Sequence, residues 1–345
     1  MSYDFYVTAD AGALPPGMDV HARVQSLATK QGSVQARQDH QNLLRKRDRR
    51  SSLYDEAVLQ SLSLMRKVNL EAPSSPDLST LPSHSFFVQF RFTLARPFIS
   101  RDDETFHVMD NPVRKDKVFK VPMVSAASWK GNLRWTAMKA DLWGAVKDDG
   151  NPVRDDPEEF ARRRFRHTLL FGTEKGFETT GSSSDWTSFL DGLCGEGKAD
   201  YRRLLRQQLG GTDDDPPPHL AGWLHFYPTF FDRIGLEVIN PHDRQTRAGK
   251  QPIYFECAPI GARGTFSLLY VPLGHVADEQ ARQDLATVAK AISEMMLTYG
   301  FSAKKTSGYG EAEVGVDGRI WTVGGDWAIR NLQKLGQEVP NVQWA

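Results

Sequence analysis

The sequence predicts an α+β protein with a ferredoxin-like βαββαβ core, a helical N-terminal extension and a large insertion. Three observations carry that expectation. The run "SFFVQFRFTLARP" sets Phe86, Val88, Phe90, Phe92 and Leu94 on one side and Phe87, Gln89, Arg91 and Thr93 on the other, the period of a strand. Leu285, Val288, Ala289, Ile292, Met295, Met296 and Tyr299 recur at the spacing of one helix face. Around these two, the segments read in the order strand, helix, strand, strand, helix, strand.

Taken along the chain, residues 1–80 come first as an extension rich in Gln, Arg, Ser and Leu. Leu43, Leu44 and Arg47 fall at helical spacing, as do Leu59, Leu62 and Met65 or Arg66, which predicts one or two helices with a charged surface. "EAPSSPDLSTLPSH", with three prolines and four serines, reads as a linker. The first strand follows and stops at Pro97. A long polar loop, "FISRDDETFHVMDNPVRKDKVFKVP", leads to "SAASWKGNLRWTAMKADLW", where Ser128 is placed as a helix cap and Leu133, Ala137 and Ala140 as the buried face.

Residues 145–219 read as an insertion, helical in the middle and loop-like at its edges. "HLAGWLHFYPTFF" and "GTFSLLYVPLG" read as two strands joined by another polar loop. The helix from Asp284 comes next, and "GYGEAEVGV" is expected to be the last strand. The division expected is an extension and linker over 1–80, the ferredoxin-like domain over 81–322 with its insertion at about 145–219, and a C-terminal tail over 323–345. The same βαββαβ order underlies RNA-recognition modules, though a fold alone decides no function.

Composition narrows the classes. The 345 residues are 40% hydrophobic and 25% charged, and Lys+Arg equals Asp+Glu at 43 each, so bulk charge does not announce a polyanion partner. A local basic patch remains open, because binding depends on where charge sits. The two cysteines, Cys194 and Cys257, belong to no CxxC or Cys/His cluster, so neither a zinc site nor a disulfide framework is expected and a cytoplasmic protein fits best. The opening "MSYDFYVTADAGALPPGMDV" lacks a signal-peptide pattern, and no apolar run of about 18 residues points to a membrane span. No GxSxG, HExxH, Walker or dinucleotide motif is present, which disfavours the corresponding hydrolases and Rossmann enzymes.

Two stretches could hold phosphate. In "YGFSAKKTSGYG", Gly300 ends a helix, and Lys304, Lys305, Thr306, Ser307, Gly308, Tyr309 and Gly310 form a turn in which bare backbone, ammonium and hydroxyl groups can meet an anion. In "ASWKGNLRW", Ala127 to Trp135, the residues Lys130, Asn132 and Arg134 lie in the first turns of a helix, where free N–H groups favour an anion. Each stretch can equally be an ordinary turn or capped helix with solvated lysines. Asp102, Asp103, Glu104, His107 and Asp110 can hold a divalent metal, activate a hydroxyl, or line a solvated loop. His242 in "NPH" is an acid–base candidate or a turn residue. Arg162, Arg163, Arg164 and Arg166 can touch phosphates or pair with Glu158 and Glu159, and "RKRDRR" at 45–50 is ambiguous in the same way.

Together these pieces resemble the RAMP superfamily of CRISPR-associated proteins. "KVPMVSAASWKGNLRW" resembles the family's "lPyIPGSSLKGalR" through Ser128, Lys130, Gly131 and Arg134. "YGFSAKKTSGYGEAEV" resembles "GiGaktSrGyG" through Gly300, Ala303, Lys304 or Lys305, Ser307, Gly308, Tyr309 and Gly310. "VMDNPVRKD" resembles the "DsPVirD" stretch of type III backbone subunits, and "INPHDRQTRAGKQPIYF" resembles a "tPHy…P" loop of some type III subunits. The resemblance spans residues 86–316. It departs from the pattern at "SRDDETF", where the family has "GG", and at "SAAS" for "PGSS", a missing glycine beside Lys130.

What the resemblance implies is a subunit that holds CRISPR RNA through Ser128, Lys130, Asn132, Arg134, Lys304, Lys305, Ser307, Gly308, Tyr309, Gly310 and His242. Target RNA and other effector subunits would be its partners, with no membrane. Backbone contacts of this kind position RNA without reading it, which suits a protein that accepts any guide. Asp110 matches the aspartate that supports cleavage of target RNA with Mg2+ or Mn2+. Two alternatives stand beside this: a metal-independent endoribonuclease processing the guide precursor with His242 or His107 as base, and a non-catalytic scaffold whose N-terminal helices bind a neighbour or replace a small helical subunit.

Overall fold

The computed structural model describes residues 18–29, 34–45, 51–102, 107–145, 150–174, 186–210, 219–241, 252–335 and 344. Strand β1 (Phe86–Thr93) is the centre of a five-stranded antiparallel sheet. It pairs on one side with β7 (Arg263–Tyr270), Phe86 opposite Tyr270, and on the other with β8 (Gly315–Thr322), Phe86 opposite Thr322. The short β3 (Leu224–Phe226) lies outside β7, and β9 (Gly325–Asn331) lies outside β8. The sheet therefore reads β3-β7-β1-β8-β9. The alternation of β1 has a direct cause. Phe90 and Phe92 pack with Phe266 and Trp129 under the helices, while Phe87 meets Tyr227 and Trp321 on the opposite face. The linker crosses that opposite face, where Gln89 donates to the Pro73 carbonyl at 2.8 Å.

Two helices cover the first face. Helix α4 (Ala126–Met138) buries Trp129, Leu133 and Ala137, and α8 (Asp278–Glu294) buries Leu285, Val288, Ala289 and Ile292 in the same core. Each runs on into a wide π turn, Lys139–Trp143 after α4 and Met295–Tyr299 after α8. Ser125, not Ser128, caps α4: its hydroxyl accepts from the Ser128 N–H at 3.2 Å, so the helix starts one residue after Ser125. The last core strand also differs from expectation. It begins at Gly315, because residues 308–314 complete the turn and bridge to Leu94 through Ala312.

The extension holds three helices, α1 (Val20–Ala28), α2 (Val34–Leu44) and α3 (Leu53–Lys67). Tyr54, Val58, Leu62 and Met65 enter the main core, whereas Leu59, expected on the buried stripe, is 47% exposed. A reciprocal cap starts α3: the Ser52 hydroxyl accepts from Asp55 N–H, and Asp55 accepts from Ser52 N–H, each at 3.0 Å. Asp55 also accepts from the Ile234 N–H at 3.0 Å, tying the extension to the body. Part of its apolar surface is thus already used by its own chain.

Residues read as a polar loop form the hairpin β5 (Gly235–Ile239) and β6 (Ile253–Cys257), with Gly235 opposite Cys257. A second short pair joins β2 (Met123–Val124) to β4 (Thr229–Phe230). The insertion contributes α5 (Pro157–Phe171), α6 (Trp186–Leu193) and α7 (Gly197–Leu209). Its arginine run is structural. Arg162 and Arg163 pair with Glu158 and Glu159, Arg166 pairs with Asp284, and the fully buried Arg164 bonds both Glu174 and Asp191 with its plane over Tyr201. In the cluster 45–50, residues 46–50 lie outside the described residues. No helix among the described residues is long and apolar enough to cross a membrane.

Candidate nucleic-acid interface

The glycine-rich turn folds back on itself before it faces anything else. Gly300 and Gly310 have φ near +70°, and a Cβ on Gly310 would lie 2.3 Å from the Ser302 Cβ. The Phe301 N–H donates to the Gly310 carbonyl at 3.0 Å, and the Gly310 N–H donates to the Pro97 carbonyl at 2.8 Å. The N–H groups of Ser307 and Gly308 donate to the Lys304 and Lys305 carbonyls. These glycines let the turn close tightly, rather than baring its amides to a ligand as their number alone suggests. What the turn presents is side chains. Lys304, Thr306 and Ser307 are exposed and Lys305 is half-buried. Lys304 has a left-handed φ of +57°, uncommon for a residue with a side chain, and its ammonium sits 5.4 Å over the Phe255 ring of β6.

Helix α4 meets this turn through Asn132. The Asn132 amide donates to the Phe301 carbonyl at 3.2 Å and to the Ser128 carbonyl at 2.9 Å, while its Oδ1 accepts from Lys305 Nζ at 3.0 Å. Lys305 Nζ also lies 4.7 Å over the Trp135 ring. Burial lowers the Lys305 pKa. Lys130 is also lowered, first by burial and then by the neighbouring Arg134 charge. Among the described residues, neither Lys130, Lys304 nor Lys305 has a carboxylate at ion-pair distance.

Lys130 stands on a different flank from Asn132, since two residues along a helix turn it by about 200°. Arg134 shares the Lys130 flank, where its guanidinium donates to the Gly172 and Thr173 carbonyls at 3.2 and 3.4 Å. That bond is structural: it fastens α4 to the C-terminal end of α5. Between the two flanks lies Gly131, exposed, with no atom within 4 Å of where its Cβ would be. The Ser128 hydroxyl, also exposed, contacts the Ser125 hydroxyl at 2.9 Å. Of the sequence-derived helix residues, Asn132 is the one in contact with the turn, while Lys130 and Arg134 lie on the other flank of α4.

The third wall is the hairpin missed in the sequence. Tyr309 donates its hydroxyl to Glu237 of β5 at 3.2 Å, and its pKa is raised by burial and by that carboxylate. Asp110 lines a cavity with Ile253 and Tyr254 of the same hairpin. The Asn111 amide donates to the Tyr254 carbonyl at 3.2 Å, and the Glu256 N–H donates to the Asn111 carbonyl at 3.0 Å. Asp110 itself is 70% exposed and pairs with Arg37 of α2 at 3.2 Å. Among the described residues no group of three His, Cys, Asp or Glu side chains could hold a metal ion. Asp103, Glu104 and His242 lie outside the described residues. His107 lines a small cavity with His21, His40 and Glu256.

The profile described as the RAMP superfamily matches residues 47–313. The chain belongs to the RAMP superfamily. The RAMP match runs from six residues before α3 through the glycine-rich turn, and leaves α1 and α2 outside it. Among solved structures, this RAMP protein is similar to a chain in the cryo-EM structure of the Type III-B Cmr-beta bound to cognate target RNA. The two share 12% identity with a TM-score of 0.36, over 76% of this chain and 67% of that one. No curated protein matches it.

Proposed function

We propose that this RAMP protein is a CRISPR RNA-binding backbone subunit of a type III-like interference complex, acting in the cytoplasm beside other effector subunits. The observation that carries the reading is the Lys305–Asn132 contact. It fastens the lysine-bearing turn to α4, and neither Lys304 nor Lys305 has a carboxylate partner among the described residues. Such a turn suits the phosphodiester backbone of any sequence. The strand order supports a ferredoxin-like core: β3, β7, β1 and β8 run in the antiparallel order that βαββαβ requires, with β9 added at the edge. Cys194 and Cys257 are both free and buried, compatible with a reducing compartment.

The test is RNA content. The Lys130→Ala, Lys304→Ala, Lys305→Ala protein is expected to purify folded and without guide RNA. RNA retained at the parent's level would remove the reading.

A second reading attaches to Asp110, as the group that orients a target-RNA hydroxyl for cleavage with Mg2+ or Mn2+. Its exposure beside β6, the strand that also carries Phe255 under Lys304, favours it. Cleavage assays with and without EDTA separate it from a metal-independent processing enzyme, which would keep cutting.

A further inference from the structure

We propose that an aromatic strip running from α4 onto the insertion is a stacking platform for the bases of single-stranded RNA, extending the phosphate-facing surface and resting on the RNA-binding reading. The strip starts at the glycine-rich turn. Trp135 meets Tyr299 edge-on with ring centres 5.2 Å apart, and Lys305 lies over Trp135. Lys139 threads the next step: its Nζ is 4.5 Å from the Tyr299 ring, 5.2 Å from Trp135 and 5.7 Å from Trp143. The π turn after α4 ends at Trp143, whose ring meets Phe189 of α6 at 5.7 Å.

Trp143 is 43% exposed and Phe189 38% exposed. Large rings left in water lose the gain that burial would bring, about 25 cal/mol per Å² of apolar surface. A run of them beside the phosphate-facing lysines therefore points to a ligand that covers them. Charge decides which class of ligand. Among the described residues neither Lys139 nor Lys305 has a carboxylate partner, while Asp141, inside the same π turn, is turned to His167 at 3.2 Å. Unpaired ammonium groups lying on ring faces suit a polyanion that brings its own flat groups, and base stacking on aromatics tolerates any sequence. Lys305 belongs to both surfaces, so a strand whose phosphates follow the turn has its bases within reach of Trp135 and, beyond it, Trp143.

The experiment compares the full-length parent, Trp143→Ala with Phe189→Ala, and Lys304→Ala with Lys305→Ala, by anisotropy of a labelled unstructured RNA at several salt concentrations. The aromatic double variant is expected to bind at least about tenfold more weakly with an unchanged salt slope, because stacking is lost and no cation is removed. On an RNA with abasic sites in place of bases, it should match the parent. The lysine variant should lose affinity and flatten the slope. Equal affinity of the aromatic variant and the parent for intact RNA overturns the platform while leaving the RNA-binding reading intact. A variant that keeps RNA but loses a co-purifying protein also overturns it, making the strip a protein interface. A parent that binds no RNA takes both readings down together.

Discussion

Lys305 Nζ donates to Asn132 Oδ1 at 3.0 Å, and through that bond the turn after α8 is fastened to the first turns of α4. The acceptor is neutral, so it does not offset the ammonium's charge toward a ligand.

Changing Asn132 tests that arrangement. Asn132→Leu removes the acceptor and the amide donation to Phe301, and is expected to cost about 1–2 kcal/mol in urea unfolding. Asn132→Asp keeps an acceptor but makes it an anion. RNA affinity should fall and the salt slope should shrink by about one charge. An unchanged slope would show that Lys305 does not face phosphate.

Two glycines should behave oppositely. Gly131 is helical with empty space around it, so Gly131→Ala should stabilise the protein by up to about 1 kcal/mol. If RNA runs over that face, the added methyl weakens binding all the same. Gly310→Ala, with φ +71° and Ser302 in the way, should cost about 2–3 kcal/mol and release the turn. Thermal melts and RNA titrations of the pair separate a stability role from a docking role.

Asp110→Ala should leave folding nearly unchanged, within about 1 kcal/mol, since its pair with Arg37 is exposed. RNA should remain bound and cutting of target RNA should stop. Equal cutting by variant and parent removes Asp110 from the chemistry.

Glu256 sets an acid limit. Burial alone would raise its pKa, but Lys115 and His40 outweigh that and hold it at about 2. A depressed carboxyl contributes stability that is complete above its ordinary value near 4.5 and is lost as pH falls toward about 2. The contribution is on the order of 3 kcal/mol. Melting temperature should therefore drop between those limits. Glu256→Gln should melt lower at neutral pH, because Lys115 is left buried without its partner, and should lose most of the acid-limb dependence. A parent curve flat from pH 5 to pH 3 would contradict the arrangement.

Much of this was readable from residue spacing, and the failures have causes. Strand β1 was legible because its phenylalanines pack on both faces, and α8 because its apolar stripe lies continuously on the core. The β5–β6 hairpin was not, since Leu236 is only partly buried against the core and Val238 is exposed, too little burial to impose a strong alternation. Strand β9 hid for a similar reason: of its residues only Ile329 is buried. At the site, the two basic stretches were visible but their joint was not. Asn132 reads as an ordinary polar helix residue until Lys305, far along the chain, is brought to it. The aromatic–lysine run escaped notice because it is assembled across α4, a π turn, α6 and the end of α8.

The buried bond from His40 to Glu256, 2.6 Å long, has a consequence for where this protein can be cut. His40 precedes the first family-matched residue, yet it hydrogen-bonds a carboxylate inside the matched stretch. A fragment trimmed to residues 47–313 would keep that carboxylate, with its Lys115 and Val113 contacts, and lose the His40 bond, so it is expected to melt below the whole chain.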